Sequence, residues 1–309
     1  MRATTGDVQV TLSWDANTEP DFLQYNIYGG TSASPTARVA FNVGISNTTK
    51  TISGLINGVT YYFRITAVDS AQQESGFSNE VGVTPNALFT RITTGDIVND
   101  SGLSGGCSWG DYDNDGDLDL FVSNLSDDDN FLYSNNSDGT FTKITVGEIV
   151  NDGGKSVGSS WGDYDNDGDL DLFVANEHGQ NNFLYQNSGN GTFSKITIGA
   201  IVVDGGNSLS TSWGDYDNDG NLDLYVANSG NNNFLYQNNG DGTFTSITTS
   251  TIVEMGNFRG CNWVDYDNDG DLDLFVAIWG DNNFLYANNG NGTFNTDPAP
   301  SFPSASYVR

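Results

Sequence analysis

Residues 161–172 read Trp161-Gly162-Asp163-Tyr164-Asp165-Asn166-Asp167-Gly168-Asp169-Leu170-Asp171-Leu172, and nearly the same twelve letters return from Trp109, Trp213 and Trp263. The tryptophans are spaced by 52, 52 and 50 residues. Each copy runs on into an aromatic-Val pair, such as Phe121-Val122 or Tyr225-Val226, then Asn-Phe-Leu-Tyr (Asn182–Tyr185 in the second copy), then Gly-Thr-Phe ending at Phe141, Phe193, Phe244 and Phe294. In the second copy the alternation predicts strands over Ser156–Trp161, Leu170–Ala175, Asn182–Gln186 and Thr192–Thr197. Asn187-Ser188-Gly189-Asn190-Gly191 between the last two has hairpin chemistry, because Asn and Gly tolerate positive φ.

Four antiparallel strands in about 50 residues match the size of one β-propeller blade. A single blade cannot bury both faces, so neighbouring copies must complete its core. Phe89-Thr90-Arg91-Ile92-Thr93 matches the fourth strand of a copy but precedes the first full one, and is expected to complete a blade elsewhere in the ring. The spacing places a fifth Trp just beyond Arg309, so the array is expected to continue past this segment, the alternative being that it ends in the tail with Pro298, Pro300 and Pro303.

Composition agrees with an all-β chain. Of 309 residues 40 are acidic and 10 basic, a formal net charge of −30, and only six of the acids are Glu. Asp, Asn and the 38 Gly favour turns over helix interiors. An aromatic content of 12% is too high for a disordered acidic tail. The charge repels phosphate backbones, which excludes nucleic acid as a partner, and no run of about 18 apolar residues exists to insert into a membrane. Met1-Arg2-Ala3-Thr4 leads directly into a strand pattern, without a signal peptide in this segment. Cys107 and Cys261 cannot build a disulfide scaffold, and both read as small inner-strand residues two positions before a Trp. With one histidine and no Lys or His base recurring beside the acidic loops, no enzyme is expected.

Residues 1–86 have another grammar. Short strands over Val8–Trp14, Tyr25–Tyr28, Tyr61–Val68 and Ser78–Val81 alternate with polar turns, as in a sandwich. With Trp14, Leu55, the turn Asn57-Gly58, Tyr61 and Ala67, this stretch resembles a fibronectin type III domain. The resemblance implies a β-sandwich in which Tyr61 forms a tyrosine corner. Residues 1–86 and 87–309 are therefore expected as separate domains.

The acidic nonapeptide Asp-Tyr-Asp-Asn-Asp-Gly-x-Leu-Asp carries the chemistry. Its acids are Asp111, Asp113, Asp115 and Asp119; Asp163, Asp165, Asp167 and Asp171; Asp215, Asp217, Asp219 and Asp223; Asp265, Asp267, Asp269 and Asp273. Carboxylates at positions 1, 3, 5 and 9, with Gly at 6, suit a hard divalent cation, and oxygen-only ligands favour calcium. Position 7 (Asp117, Asp169, Asn221, Asp271) varies as expected of a backbone-carbonyl ligand and joins the candidate set. About four Ca2+ ions, one per copy, are expected. An EF-hand would need Glu at position 12, where Val122, Val174, Val226 and Val276 stand. The array thus resembles the FG-GAP/VCBS repeats, propeller repeats also found in integrin α-subunits. The resemblance implies structural calcium on one rim and ligand binding on the other. It also implies seven blades, where four are visible.

On that opposite rim lie the least repetitive stretches: Ser126–Asp129, Glu177–Gln180, Ser229–Asn232 and Ile278–Asp281. Asp128, His178 and Trp279 are the ligand candidates there. Trp279 suits a sugar platform or partner anchor as well as packing on a neighbouring blade, and His178 also reads as an ordinary loop residue. The function expected is a calcium-binding adhesion or recognition module, extracellular or on the cell surface, with a protein or glycan partner. The alternatives are a non-catalytic accessory region of an exported polysaccharide-degrading enzyme and a rigid surface spacer.

Overall fold

A computed structural model describes residues 1–87, 89 and 91–297. The chain is all-β apart from short helical turns and divides into two compact units, Met1–Ile92 and Thr93–Arg309.

The first unit holds β1 (Arg2–Gly6), β2 (Gln9–Ser13), β3 (Phe22–Gly30), β4 (Arg38–Val43), β5 (Thr49–Ser53), β6 (Tyr61–Asp69) and β7 (Val81–Val83). They form two antiparallel sheets, ordered β1-β2-β5 and β4-β3-β6-β7. Alternate residues of each face inward, so Val10 and Leu12 from one sheet meet Tyr25, Ile27, Phe63, Ile65 and Val83 from the other in a single core. Trp14 packs edge-on against Tyr25 at 5.2 Å. The Tyr61 hydroxyl accepts the Ile56 N–H at 3.2 Å, pinning the approach to β6.

The described residues of the second unit form four meanders of four strands. The first comprises β8 (Ser104–Gly110), β9 (Asp119–Asn124), β10 (Phe131–Asn135) and β11 (Phe141–Ile144); the second β12 (Ser156–Gly162), β13 (Asp171–Asn176), β14 (Phe183–Asn187) and β15 (Phe193–Ile196). The third has β16 (Ser208–Gly214), β17 (Asp223–Asn232), β18 (Phe234–Asn238) and β19 (Phe244–Ile247), and the fourth β20 (Met255–Val264), β21 (Asp273–Ile278), β22 (Phe284–Asn288) and β23 (Phe294–Asp297). Strand order follows chain order in each, as the alternation predicts.

Every core in this unit belongs to two successive sheets. Tyr112, Phe121 and Leu132 meet Leu172, Val174 and Tyr185; Phe173, Ala175 and Leu184 meet Leu224, Val226 and Tyr236; Tyr225, Ala227 and Leu235 meet Leu274, Val276 and Tyr286. The second strand of a sheet is therefore buried on both faces, and in β13 all six residues are buried. The tryptophan of each later copy seals the seam. Trp161 stacks on Tyr112 at 6.2 Å and 12°, and Trp213 and Trp263 stack likewise on Tyr164 and Tyr216. A Cβ on Gly162 would lie 2.7 Å from Trp213 Cδ1, so only glycine lets that ring close down. Trp109, on the first sheet, is 51% exposed.

The inner strands β8, β12, β16 and β20 lie side by side, stitched by bonds such as Ser108 Oγ to Ser159 Oγ at 2.8 Å. Short straps between sheets bury Ile149-Val150, Ile201-Val202 and Ile252-Val253. Each strap, and the matching turn before β8, then presents an acid to a buried tyrosine. Tyr133 donates to Asp100 at 2.7 Å and Tyr185 to Asp152 at 2.8 Å; Tyr236 and Tyr286 donate to Asp204 and Glu254. Lys143 and Lys195 pair with Asp100 and Asp152 at 2.8 and 2.7 Å.

Three expectations need correction. Ser229–Asn232 is not a free loop: β17 runs through it and pairs with Met255–Asn257, because β20 starts early enough to offer an edge. Phe89 and residues 91–93 form no strand and Phe89 is 92% exposed, the place beside β22 in the last sheet being taken by β23; Thr90 lies outside the described residues, as do Pro298, Pro300 and Pro303. Cys261 is buried as a small inner residue, whereas Cys107 is exposed, and both are free thiols.

Candidate metal centres

Each acidic nonapeptide is the loop between the first and second strands of a sheet. Its backbone wraps around its own carboxylates. In the second sheet, Asp163 accepts the N–H groups of Asp167 and Gly168, each at 3.0 Å, and Asp167 accepts that of Asp169 at 3.0 Å. The reversal uses two left-handed residues, Asn166 at φ 58° and Gly168 at φ 94°. Asn114, Asn218 and Asn268 repeat the first of these, which explains the invariant Asn at position 4 that the sequence reading passed over.

The wrapping brings carboxylate oxygens together. One oxygen each from Asp111, Asp113 and Asp115 lie within 4.8 Å of one another; so do those of Asp163, Asp165 and Asp171, of Asp215, Asp217 and Asp223, and of Asp265, Asp267 and Asp269. Position 9 has a second role. Asp171 is fully buried and accepts the N–H groups of Tyr164 at 3.1 Å and Asn187 at 2.8 Å, and Asp119, Asp223 and Asp273 make the equivalent bonds. Position 7 turns aside to the neighbouring copy. Asn114 donates to Asp169 at 2.6 Å, Asn166 to Asn221 at 3.0 Å and Asn218 to Asp271 at 2.7 Å, while Asp117 is bonded by Ser137.

The donor set fits a hard cation. Oδ1 of Asp113, Asp165 and Asp217 is buried without a hydrogen-bond partner, a costly state for a carboxylate oxygen that nothing neutralises. Burial raises the pKa of all three carboxyls, with neighbouring aspartates adding to it. Burial likewise pushes Asp119 up to about 6 and Asp171 and Asp223 up to about 7, against the lowering effect of their backbone N–H bonds. A divalent cation held by positions 1, 3, 5 and 9 would supply the missing partner and hold these groups ionised.

The other end of each sheet carries the variable segments. Asp128 sits in an exposed turn bridged to Gly154. His178 takes φ 59°, donates its backbone N–H to Asn207 at 2.9 Å and places Nδ1 3.0 Å from the Glu177 carboxylate. Trp279 is 60% exposed, with the Arg259 guanidinium 5.2 Å from its ring centroid. Asp128, His178 and Trp279 thus stand on separate sheets and form no shared cluster.

Fold and site together define an array of four-stranded sheets, each with an acid-rich loop at one end whose carboxylates could hold a cation. The FG-GAP-like repeat family matches residues 111–174, 163–226, 215–276 and 265–309, and the chain belongs to that family. Chitinase A1 of Niallia circulans is 38% identical over 79 residues, which are 25% of this chain and 10% of the chitinase. The chain thus spans about a tenth of the curated relative it matches. Among solved structures, a beta-1,2-glucanase from Parabacteroides distasonis aligns at 24% identity over 29% of this chain and 12% of its own, with a TM-score of 0.26. BBS1N in complex with ARL6DN aligns at 11% identity over 96% and 82%, with a TM-score of 0.39. Among the described residues no helix is long and apolar enough to cross a membrane.

Proposed function

We propose that this chain is a calcium-stabilised, non-catalytic recognition module of an extracellular or cell-surface protein. The carrying observation is the division of labour along each sheet. One end repeats a close cluster of carboxylate oxygens drawn from the same nonapeptide, with a buried unpaired oxygen in three of four copies. The other end changes from copy to copy. A fixed scaffold with variable loops is the usual arrangement of a binding surface. In this reading the sheets are propeller blades, the ions are Ca2+, and the first unit is a fibronectin type III sandwich, supported by its two-sheet core and the Tyr61 bond. The partner is a protein or glycan on the rim away from the metal loops.

A second reading, an accessory region of an exported glycan-degrading enzyme, draws on the partial match to a chitinase. Both readings predict ligand capture and differ in what adjoins the chain. The test is adhesion of the calcium-loaded chain to cells and to insoluble polysaccharides. Replacing Glu177–Gln180 should reduce capture without changing calcium affinity, whereas Asp265→Ala should weaken calcium first and capture only as a consequence. Undiminished capture after every change on the variable rim refutes the assignment.

A further inference from the structure

The first strand of every repeat is bulged at one place. Pairing with the second strand jumps from Ser104 to Gly106, from Ser156 to Gly158, from Ser208 to Ser210 and from Phe258 to Gly260. The residues left over are Gly105, Val157, Leu209 and Arg259. A bulge frees one residue from the ladder and re-aims its side chain. All four of these residues line one cavity of about 420 Å3, which Leu125 and Glu177, from the segments after the second strands, also border. Pockets for small ligands run from about 300 to 1,000 Å3.

Three bulge positions are small or aliphatic, and the fourth is charged. Arg259 makes no ion pair among the described residues, although Glu177 lines the same cavity. Its guanidinium instead lies over the ring of Trp279, a residue 60% exposed. The Glu177 carboxylate is held by His178 at 3.0 Å. The cavity is therefore half polar and half apolar, with a donor from the fourth sheet and an acceptor from the second, and the Trp279 ring stands just outside it against the donor.

Resting on the recognition reading above, we propose that this cavity binds a neutral saccharide, with Arg259 donating to its hydroxyls, Glu177 accepting from them and Trp279 covering an apolar sugar face. A hydroxyl both donates and accepts, so one sugar serves both groups at once. An aromatic ring suits a ligand with one apolar and one polar side. An anionic ligand fits less well: the chain carries a formal charge of −30 and the pocket itself presents Glu177. Neither Arg259 nor Glu177 belongs to a metal loop.

The test is titration of the full chain in millimolar calcium, by calorimetry and saturation-transfer NMR, with tetrasaccharides of β-1,4-linked glucose, N-acetylglucosamine, xylose and mannose, and with tetragalacturonate as the anionic probe. At least one neutral tetrasaccharide should bind. Arg259→Ala, Glu177→Gln and Trp279→Ala should each weaken it about tenfold or more. Trp279→Phe should retain most of the affinity, and all variants should keep the calcium-loaded melting temperature. Binding that ignores Arg259→Ala and Glu177→Gln overturns this cavity as the site but leaves recognition standing. Binding of tetragalacturonate alone overturns the ligand class. If no tetrasaccharide binds while cells or polysaccharides are still captured, the proposal fails and the broader reading survives. Loss of all capture sinks both.

Discussion

Replacing Asn187 by alanine isolates what joins one repeat to the next. Asn187 is buried at the end of the third strand of the second sheet. Its side-chain amide donates to the Tyr112 carbonyl of the preceding sheet at 2.7 Å and to the Leu170 carbonyl at 3.1 Å, and its side-chain oxygen accepts the Gly189 N–H at 3.2 Å. At about 1 kcal/mol net for each buried hydrogen bond, Asn187→Ala should cost about 3 kcal/mol. In a unit of this size that is a fall of roughly 6–12 °C in melting temperature. Asn135 supplies the control. Its amide reaches only Leu118 at 3.1 Å and its oxygen the Ser137 N–H at 3.1 Å, at a less buried site with no bond to another sheet. Asn135→Ala should therefore cost about 1 kcal/mol. Both are measured by calorimetric melting and urea titration in saturating calcium, where the retained Asn187 backbone N–H still serves Asp171. Equal shifts for the two variants would refute the claim that carbonyl capture between sheets stabilises the array.

Other outcomes follow from the same geometry. With dissociation constants near 10⁻⁴ M and millimolar calcium, each cage adds roughly 1.4 kcal/mol, so the second unit should melt well above its temperature in chelator; coincident melts would exclude structural cations. Asp165→Asn, which alters the buried unpaired oxygen, should lower the bound calcium stoichiometry by about one ion in calorimetry, with the other sites still filling. A thiol reagent at pH 8 should label Cys107 in the native chain and both cysteines only after denaturation, since burial pushes the Cys261 thiol up to about 12. Lys143 holds the Asp100 carboxyl below its ordinary value of 3.8, so its contribution is present above that pH and lost as pH falls through the lower native value. Acid melts below pH 4 should therefore fall more steeply for the wild type than for Asp100→Asn, and parallel curves would deny the pair any role.

The acid clusters were legible because gathering carboxylates in one tight loop requires Asp at fixed short spacing, and four registered copies leave that spacing visible. The meander of strands was legible for a similar local reason: alternation and Gly-Asn turns act within a few residues. What escaped is carried between repeats. That Asn114 grips Asp169, that Asn187 holds the Tyr112 carbonyl, and that Tyr185 finds Asp152 depend on contacts many residues apart, although the recurring Ile-Val before Asp100, Asp152 and Asp204 was a signal that could have been used. Bulges are equally silent, since nothing in Gly105, Val157, Leu209 and Arg259 as letters marks a shared position. The extension of β17 through Ser229–Asn232 shows the same limit: a polar Gly-containing stretch became strand only because β20 offered it an edge.

Common ownership of each core by two sheets has a consequence for how such a chain can change length. A repeat duplicated at a seam brings one new core and one new cage, and the faces it presents match those it displaces. Lengthening by tandem duplication therefore passes through no stage with an unfilled interior. A protease cut inside a sheet has the opposite effect, because a second strand such as β13 is lined by core residues on both sides and its loss opens two interiors together. A cut at an exposed hairpin tip such as residues 188–190 severs no core residue, so there both interiors stay closed.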